Sequence, residues 1–155
     1  MDIRSAMTEL VKVEEGISIT EPVTARIAKA YKWFPPQGVS IAANLPAFTN
    51  DMTLTSQEIG TSGYQTLIYT VHAQLYVGEG DQDILADMAA SFLTAFLTAM
   101  NLKSSLNDED GVSTVTDHTI RGGNPTLVSL NRANRPYTGL DLFIDLRMHQ
   151  AVTIS

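Results

Sequence analysis

The chain of 155 residues contains no cysteine. Without thiols it has no disulfide bonds, no thiolate zinc sites and no cysteine nucleophile. A stable fold must therefore be held by an apolar core. The length and the 44% share of hydrophobic residues suffice for one domain with such a core. We expect a single domain spanning residues 1–155.

Charged residues are scarce as well, at 17% against about 25% in typical soluble domains. The basic residues are the rarer sign, since 10 Lys and Arg stand against 17 Asp and Glu, which gives a net charge of −7. Phosphate backbones are held by clustered Lys and Arg, and the sequence contains no such cluster. The sequence therefore predicts no specific binding to nucleic acid. The low charge favours a protein that covers part of its surface with partners.

Only one long hydrophobic run occurs. Residues 84–100 are almost all apolar, but 17 residues are fewer than the roughly 20 that span a bilayer. Residues 1–5 include no apolar core of a signal peptide, so export by that route is not expected. We therefore expect a buried helix at 84–100 and no membrane association.

Sequence motifs for catalysis, metals and cofactors are missing. The three histidines are not spaced as H-x-x-x-H or H-E-x-x-H, and neither a G-x-S-x-G nor a Walker A sequence occurs. The acidic turn at residues 107–111 lacks the closing glutamate of a calcium loop. The prediction is a protein that is not an enzyme, with no catalytic residue, no metal and no cofactor. The histidines are His72, His118 and His149.

Two segments show helical periodicity. In residues 2–15, the side chains of Ile3, Met7 and Leu10 form one apolar stripe, which predicts a helix packed on one side. Residues 84–100 are apolar nearly all round, which predicts a helix buried on more than one side. Part of its second side would then lie against a neighbouring subunit.

Strand patterns occupy most of the remaining chain. We predict a strand at 25–34 that ends at the prolines, an extended loop at 37–46, and a hairpin from 48–57 and 64–77. Further strands are predicted at 112–120, 126–130 and 140–149, with loops at 121–125 and 131–139. The predicted fold class is α+β: one mainly antiparallel twisted sheet with two principal helices packed on one face, in a single domain.

Candidate partner-contact residues lie in polar or aromatic segments, of which few residues are predicted to lie in the core. The aromatic pair before the two prolines is either core packing or a partner anchor, since exposed aromatic residues are favoured at interfaces. The region 49–62 and the region 121–137 supply polar candidates, and arginines there are either solvated or bound to a partner. The candidates are Trp33, Phe34, Glu58, Arg121, Arg132, Arg135 and Tyr137.

Several short runs together resemble one family. The runs IAKAY at 27–31, PP at 35–36 and LPAF at 45–48 resemble the opening of small tail-completion and tail-terminator proteins of long-tailed, siphovirus-type bacteriophages. The LYV run at 75–77 before an apolar helix and the final strand after Tyr137 and Gly139 are similar to that family too. Each run is short, and the similarity of order covers nearly the whole chain.

The resemblance implies a structural virion protein without catalytic residues. Such proteins form a ring, typically a hexamer, at the head-proximal end of the tail, where they cap the tail tube, end its polymerisation and join the head or neck. The implied partners are further copies of the chain, the tail tube protein and a head-completion or neck protein, after assembly in the host cytoplasm. DNA would pass through the lumen without specific binding. Six copies would carry a net charge of −42, which suits a repulsive lumen.

Two other classes stay open at this point. A head–tail connector or a tail tube subunit would fit the same features within a virion. A small α+β enzyme or ligand-binding domain belongs to a different class and would need a pocket with converging polar groups.

Overall fold

The computed structural model describes residues 3–33, 35, 41–59, 64–80, 83–102, 106, 117–122, 128–132 and 135–151. The elements in chain order are helix α1 (Ile3–Glu15), strands β1 (Ser18–Ile19), β2 (Ala25–Arg26) and β3 (Lys29–Tyr31), a 3-10 helix (Ala42–Asn44), strands β4 (Ala47–Ile59) and β5 (Tyr64–Glu79), helix α2 (Asp83–Leu102), and strands β6 (Asp117–Gly122), β7 (Val128–Arg132) and β8 (Arg135–Ala151). The predicted α+β class is confirmed.

One sheet dominates the fold. Its strand order is β3-β4-β5-β8-β6, and β7 pairs with the part of β8 that β6 leaves free. All pairings in this sheet are antiparallel except that of β3 with β4, so the mainly antiparallel sheet is also confirmed. Strands β1 and β2 form a separate two-stranded ribbon.

The core lies between the two helices and one face of this sheet. Alternate residues of β5 and β8 are buried there, because successive strand side chains point to opposite faces. Phe48 of β4 meets Phe96 of α2 with ring centroids 5.6 Å apart. Each fully buried phenylalanine stabilises the fold by roughly 1.5–3 kcal/mol. The core residues from β5 and β8 are Leu67, Val71, Ala73, Leu75, Val77, Leu140, Leu142, Ile144, Leu146 and Met148.

The predicted strand at 25–34 is wrong as a single element. Its residues form β2 and β3, which belong to different sheets. Between them the backbone N–H of Ile27 donates to Ile17 and that of Ala28 donates to Pro46, so the chain changes partners within two residues. The loop predicted at 37–46 contains the 3-10 helix, and residues 36–40 lie outside the described part.

The second half holds more strand than expected. The loop predicted at 131–139 is wrong, because β7 continues to Arg132 and β8 begins at Arg135. Pro136 is accommodated in the second position of β8, near the strand end where a missing N–H costs little. The loop predicted at 121–125 is wrong for Arg121 and Gly122, which belong to β6. Residues 123–125 and the predicted strand portion 112–116 lie outside the described residues.

Helix α2 buries one stripe rather than two sides. Its fully covered residues face the sheet, whereas Ile84 is 42% exposed, Leu97 37% and Leu102 82%. The expectation of burial on more than one side is therefore not met within a single chain, because α2 forms the outermost layer. By length and composition this helix is able to cross a membrane. Its most apolar 18-residue stretch has a mean hydropathy of 1.4, and 22% of that stretch is buried inside the fold. The covered residues are Ala89, Phe92, Phe96 and Met100.

Candidate functional site

The sheet face that points away from the helices carries polar side chains from four strands. We call it the open face. Strand register places its residues in rows across β4, β5, β8 and β6, such as Asp51, His72, Phe143 and Arg121 in one row. One end of the face is covered by a small second core, formed by Ile41, Tyr76 and Tyr137. The remainder, towards the end of β4 and the start of β5, carries mostly polar side chains.

A cross-strand network holds the middle of the open face. The ring of His72 stacks on Phe143, with centroids 4.7 Å apart and planes within 5°, and its Nε2 contacts Oδ1 of Asp141. Gln74 Nε2 donates to the same oxygen of Asp141 at 3.2 Å. The side chain of Thr70 donates to Asp145 at 2.7 Å. These contacts join β5 to β8 and hold the polar side chains in place on the open face.

This network offers limited chemistry. A His–Asp pair can carry a proton, but in the described part of the chain no hydroxyl group is hydrogen-bonded to His72. Among the same residues, no three metal-binding side chains come together. The open face has a hollow of about 120 Å³ beside Ile68 and Arg147. That is below the roughly 300 Å³ at which small-molecule sites begin.

A larger hollow lies on the other side of the sheet. It has a volume of about 370 Å³ and separates Ser18–Ile19 from α2, where Ser91, Thr94 and Ala95 form its floor. Among the described residues that line it, Glu21 is the only charged one, and Ser18, Thr20, Ser91 and Thr94 add hydroxyl groups. The hollow is wide open to solvent, so it encloses a bound molecule on one side only.

The open face is predominantly acidic. Arg147 lies there too, and its Nε is 3.2 Å from Asp117, so one of the acidic charges is neutralised locally. The remaining acidic residues of the open face leave it with an excess of negative charge. Such a surface repels phosphate groups rather than binding them. The acidic residues are Asp51, Glu58, Asp117, Asp141 and Asp145.

Two predicted contact residues lie on the surface in the first half of the chain. Trp33 is 42% exposed just beyond β3, where Lys32 Nζ lies 5.6 Å from its ring centroid. Glu58 is exposed near the far end of β4, opposite Thr66. Phe34 lies outside the described residues. Trp33 and Glu58 thus belong to separate regions of the fold.

Three of the four later candidates lie around the start of β8, and Arg121 lies beside a later part of that strand. Arg135 is 60% exposed and its Nη1 lies 3.6 Å from Glu79 Oε2, while Arg132 is its register partner on β7. Arg121 is in β6, in register with Phe143. The expected contact role of Tyr137 needs correction, because this residue is only 3% exposed. Its ring packs edge-on against Tyr76 at 5.4 Å between centroids, inside the chain.

A buried carboxyl group was not expected from the sequence. Glu14 is fully buried at the end of α1, and its Oε1 accepts a hydrogen bond from Asn50 Nδ2 at 2.7 Å. Burial raises the pKa of this carboxyl to about 8, against the lowering effect of Asn50. The sequence does indicate that Glu14 lies on the buried side of α1, because it continues the stripe of Ile3, Met7 and Leu10 at helical spacing.

No family model matches the chain, and no curated protein matches it either. The function has to be inferred from the surfaces of this chain itself. Those surfaces are the acidic open face, the exposed side of α2 and the charged ends of the long strands.

Proposed function

We propose that the chain is a structural virion protein of a long-tailed bacteriophage. In this proposal it caps the tail tube as a ring, ends tube polymerisation and provides the joining surface for the head or neck. The observation that carries the proposal is the two-sided sheet. One face lies under two helices, and the other is open, polar and acidic across four strands.

The acidic open face suits the wall of a channel that DNA must pass. A ring that turns this face towards its lumen presents negative charge to the phosphates, so the DNA is repelled and slides. The cross-strand contacts of His72 and Thr70 link β5 to β8 within that wall. Basic residues, which would hold DNA in place, are outnumbered on the same face by acidic ones.

The two ends of the long strands suit a protein that joins two different neighbours. Glu58 marks one end, and the Arg135–Glu79 ion pair marks the other. Thr66, opposite Glu58, is 13 positions from Glu79 along β5, which at about 3.3 Å per residue separates the ends by roughly 40 Å. One end would contact the tail tube and the other the head or neck.

The order of the elements adds support. An opening helix, a long hairpin, a central apolar helix and a final long strand follow each other in this chain, as the family resemblance implies. The exposed apolar residues of α2 would be covered by a neighbouring copy or a partner protein in the ring.

The proposal is tested by deleting the gene from the virus that encodes it and measuring tails by negative-stain electron microscopy. A terminator predicts overlong tubes without heads. Tails of normal length that fail to join heads would instead assign the chain to the connectors. Absence of tubes would assign it to the tube subunits, and normal infectious particles would refute a tail function.

A small enzyme or ligand-binding domain is the candidate from a different class, and the His72–Asp141 pair is the observation that favours it. Screening a small-molecule library by thermal unfolding tests this candidate. A ligand that raises the melting temperature of the wild-type chain, but not that of His72→Ala, would support it.

A further inference from the structure

The end of helix α1 carries a carboxyl group that is buried against the sheet. Glu14 lies one residue before the end of α1 and is fully buried. Asn50 is equally buried on the helix side of β4, in register with Ala73 of the core. Its amide Nδ2 donates to Oε1 of Glu14 at 2.7 Å. This hydrogen bond joins α1 to a strand that lies far away in the sequence.

The orientation of the Asn50 amide is fixed by two acceptors. Its Nδ2 also donates to the backbone carbonyl oxygen of Tyr31 on β3, at 3.0 Å. An amide nitrogen carries two protons, so Glu14 and Tyr31 together use both of them. Turning the amide over would set its oxygen against two other oxygen atoms. Oδ1 of Asn50 is therefore an acceptor in a fixed position.

Two buried oxygen atoms at this contact have no hydrogen-bond partner among the described residues. They are Oε2 of Glu14 and Oδ1 of Asn50, and each belongs to the same planar group as an atom of the 2.7 Å hydrogen bond. Thr49 supplies no donor, because it points to the opposite face of the sheet and its hydroxyl is itself unpartnered. Buried polar atoms in native proteins are almost always hydrogen-bonded, and a single proton would satisfy both oxygens.

A negative charge on Glu14 is disfavoured by its surroundings. Burial removes the carboxylate from water, and the charge of the adjacent Glu15 acts on the pKa of Glu14 in the same direction. The carbonyl groups at the end of a helix carry partial negative charge, which also opposes a carboxylate there. The neutral acid, with one proton on the carboxyl group, is therefore the favoured form.

Other charged and titratable groups lie on α1 and on the elements packed against it, β3, β4 and α2. Lys12 lies 3.0 Å from Glu9 on the same helix. Apart from Glu15, none of these groups acts on the pKa of Glu14, so the proton has no competing cation. The remaining groups are Arg4 on α1, Lys29 and Tyr31 on β3, Lys32 after it, Asp51 and Glu58 on β4, and Asp83 and Asp87 on α2.

We propose that the neutral carboxyl group of Glu14 donates its proton from Oε2 to Oδ1 of Asn50, so that acid and amide form a ring of two hydrogen bonds that closes the end of α1 onto β4. We call this pair the acid–amide latch. Because Asn50 also donates to Tyr31, the latch ties α1, β3 and β4 together. Loss of the proton to solvent breaks one of the two bonds and sets a charged oxygen against Oδ1, which opens the latch.

The latch is closed at low pH and opens as the pH rises. In the closed latch Glu14 keeps its proton with a pKa of about 8, whereas the same carboxyl group has its ordinary pKa of 4.5 once α1 has left the sheet. Between these two values, the equilibrium constant for opening rises about tenfold per pH unit.

Opening concerns the end of α1. Nearer its start, the helix is held by Lys32 Nζ, which donates to Oγ1 of Thr8 at 2.7 Å without involving Glu14. Beyond Gly16 the chain enters β1 at Ser18. The part of the fold that the latch releases is therefore the last turn of α1 and its connection to the two-stranded ribbon.

NMR spectroscopy of the isotope-labelled chain locates the proton. At pH 6 we expect one strongly downfield carboxyl-proton resonance with a nuclear Overhauser contact to the side-chain amide protons of Asn50. Glu14→Gln should remove this resonance. Glu9→Gln is the matched control and should keep it, because Glu9 is also buried on α1 but pairs with Lys12. Absence of the resonance in the wild type, or a contact to a different group, overturns the proposal.

Hydrogen exchange measured by mass spectrometry tests whether this proton controls α1. Glu14→Gln is a latch that stays closed, because the glutamine amide donates from the same position at every pH. For peptides from the end of α1, we expect the exchange rate of the wild type relative to Glu14→Gln to rise about tenfold per pH unit between pH 5 and pH 8.

Peptides of β5 and β8 should exchange more slowly than those of α1 at each pH, because the sheet stays folded when the latch opens. Equal protection of α1 and of these strands overturns the latch, since α1 then opens only with the whole fold. A rate ratio that does not change with pH overturns it as well. Neither measurement depends on the tail function proposed above.

Discussion

Glu14 has the least ordinary environment of any single ionisable side chain in this structure. It is fully buried, it receives one hydrogen bond from Asn50, and its second carboxyl oxygen has no hydrogen-bond partner. Desolvation raises the pKa of the carboxyl to about 8, so at pH 7 the folded chain keeps this group protonated and neutral. In the unfolded chain the pKa of the same group is near its ordinary value of 4.5.

The raised pKa makes stability depend on pH. Between pH 4.5 and pH 8 the unfolded chain loses the Glu14 proton while the folded chain keeps it. The Glu14 contribution is therefore fully present below pH 4.5 and is lost as the pH rises through about 8. Glu14→Gln removes this titration. We expect its unfolding free energy, relative to wild type, to rise by about 1.4 kcal/mol per pH unit in that window.

Urea unfolding at pH 5 and pH 8 measures this difference. Glu21→Gln is the control, because Glu21 is exposed and does not act on the pKa of Glu14, whereas the negative charge of the adjacent Glu15 does. Its unfolding free energy should follow wild type at both pH values. A difference between Glu14→Gln and wild type that does not change with pH would contradict the burial-based account of Glu14.

At the scale of elements, the junction of β5 with α2 depends on a glycine. Gly78 lies beside the bulge of β5 after Tyr76, and a Cβ atom there would be 2.6 Å from Cδ2 of Leu85 on α2. The absent side chain lets the first turn of α2 approach the strand. A contact of 2.6 Å cannot be kept, so the Leu85 side chain has to move when a Cβ atom is added at Gly78.

We therefore expect Gly78→Ala to destabilise the fold by about 0.5–1.5 kcal/mol, the cost of moving the Leu85 side chain off its preferred rotamer. In a Leu85→Ala background the clash is gone, and alanine is favoured over glycine in a strand by roughly 0.5–1 kcal/mol. Gly78→Ala should then be neutral or stabilising. A double-mutant cycle by urea unfolding measures the coupling, and equal costs in both backgrounds would show that Leu85 is not the obstacle.

Elements with a regular apolar period were predictable from sequence, and others were not. Helix α1 and strands β5 and β8 show periods of 3.6 and 2, which burial enforces. The split of residues 25–31 between two sheets depends on backbone partners distant in sequence, Ile17 and Pro46. The extension of β8 to Arg135 contradicts local signals from Pro136, since pairing with β5 and β7 decides that segment.

The surfaces were only partly predictable. Exposed Trp33, Glu58 and Arg135 follow from their polar or loop-like surroundings, but the burial of Tyr137 follows from its packing on Tyr76. The open face depends on strand order and register. Both are set by pairing between segments that are far apart in the sequence, so local patterns do not predict them. The rows that bring Asp51 and Arg121 to one level are visible only in the folded sheet.

At the scale of the whole molecule, the charged end around Arg135 should serve assembly more than folding. The Arg135–Glu79 pair is exposed, and such pairs stabilise by about 0–1 kcal/mol. We expect Arg135→Glu to change the unfolding free energy by less than about 1 kcal/mol and to impair ring or neighbour assembly. Arg132→Glu, at its register partner, should act in the same way.

Light scattering and the yield of joined particles measure assembly, and urea unfolding measures stability. Arg26→Glu is the matched control, since Arg26 is exposed on the separate two-stranded ribbon. Arg26→Glu should assemble normally. Loss of stability in Arg135→Glu together with normal assembly would show that this end serves the fold and not a partner.

In the proposed function, this chain stops the growth of a tail tube. The direct measurement adds the purified chain to the polymerising tube subunit of the same virus and records tube lengths by negative-stain electron microscopy. Capping predicts that tubes shorten as the concentration of the chain rises, with the chain bound at one tube end only. Tube lengths that do not respond, or a chain incorporated all along the tube, would contradict the claim.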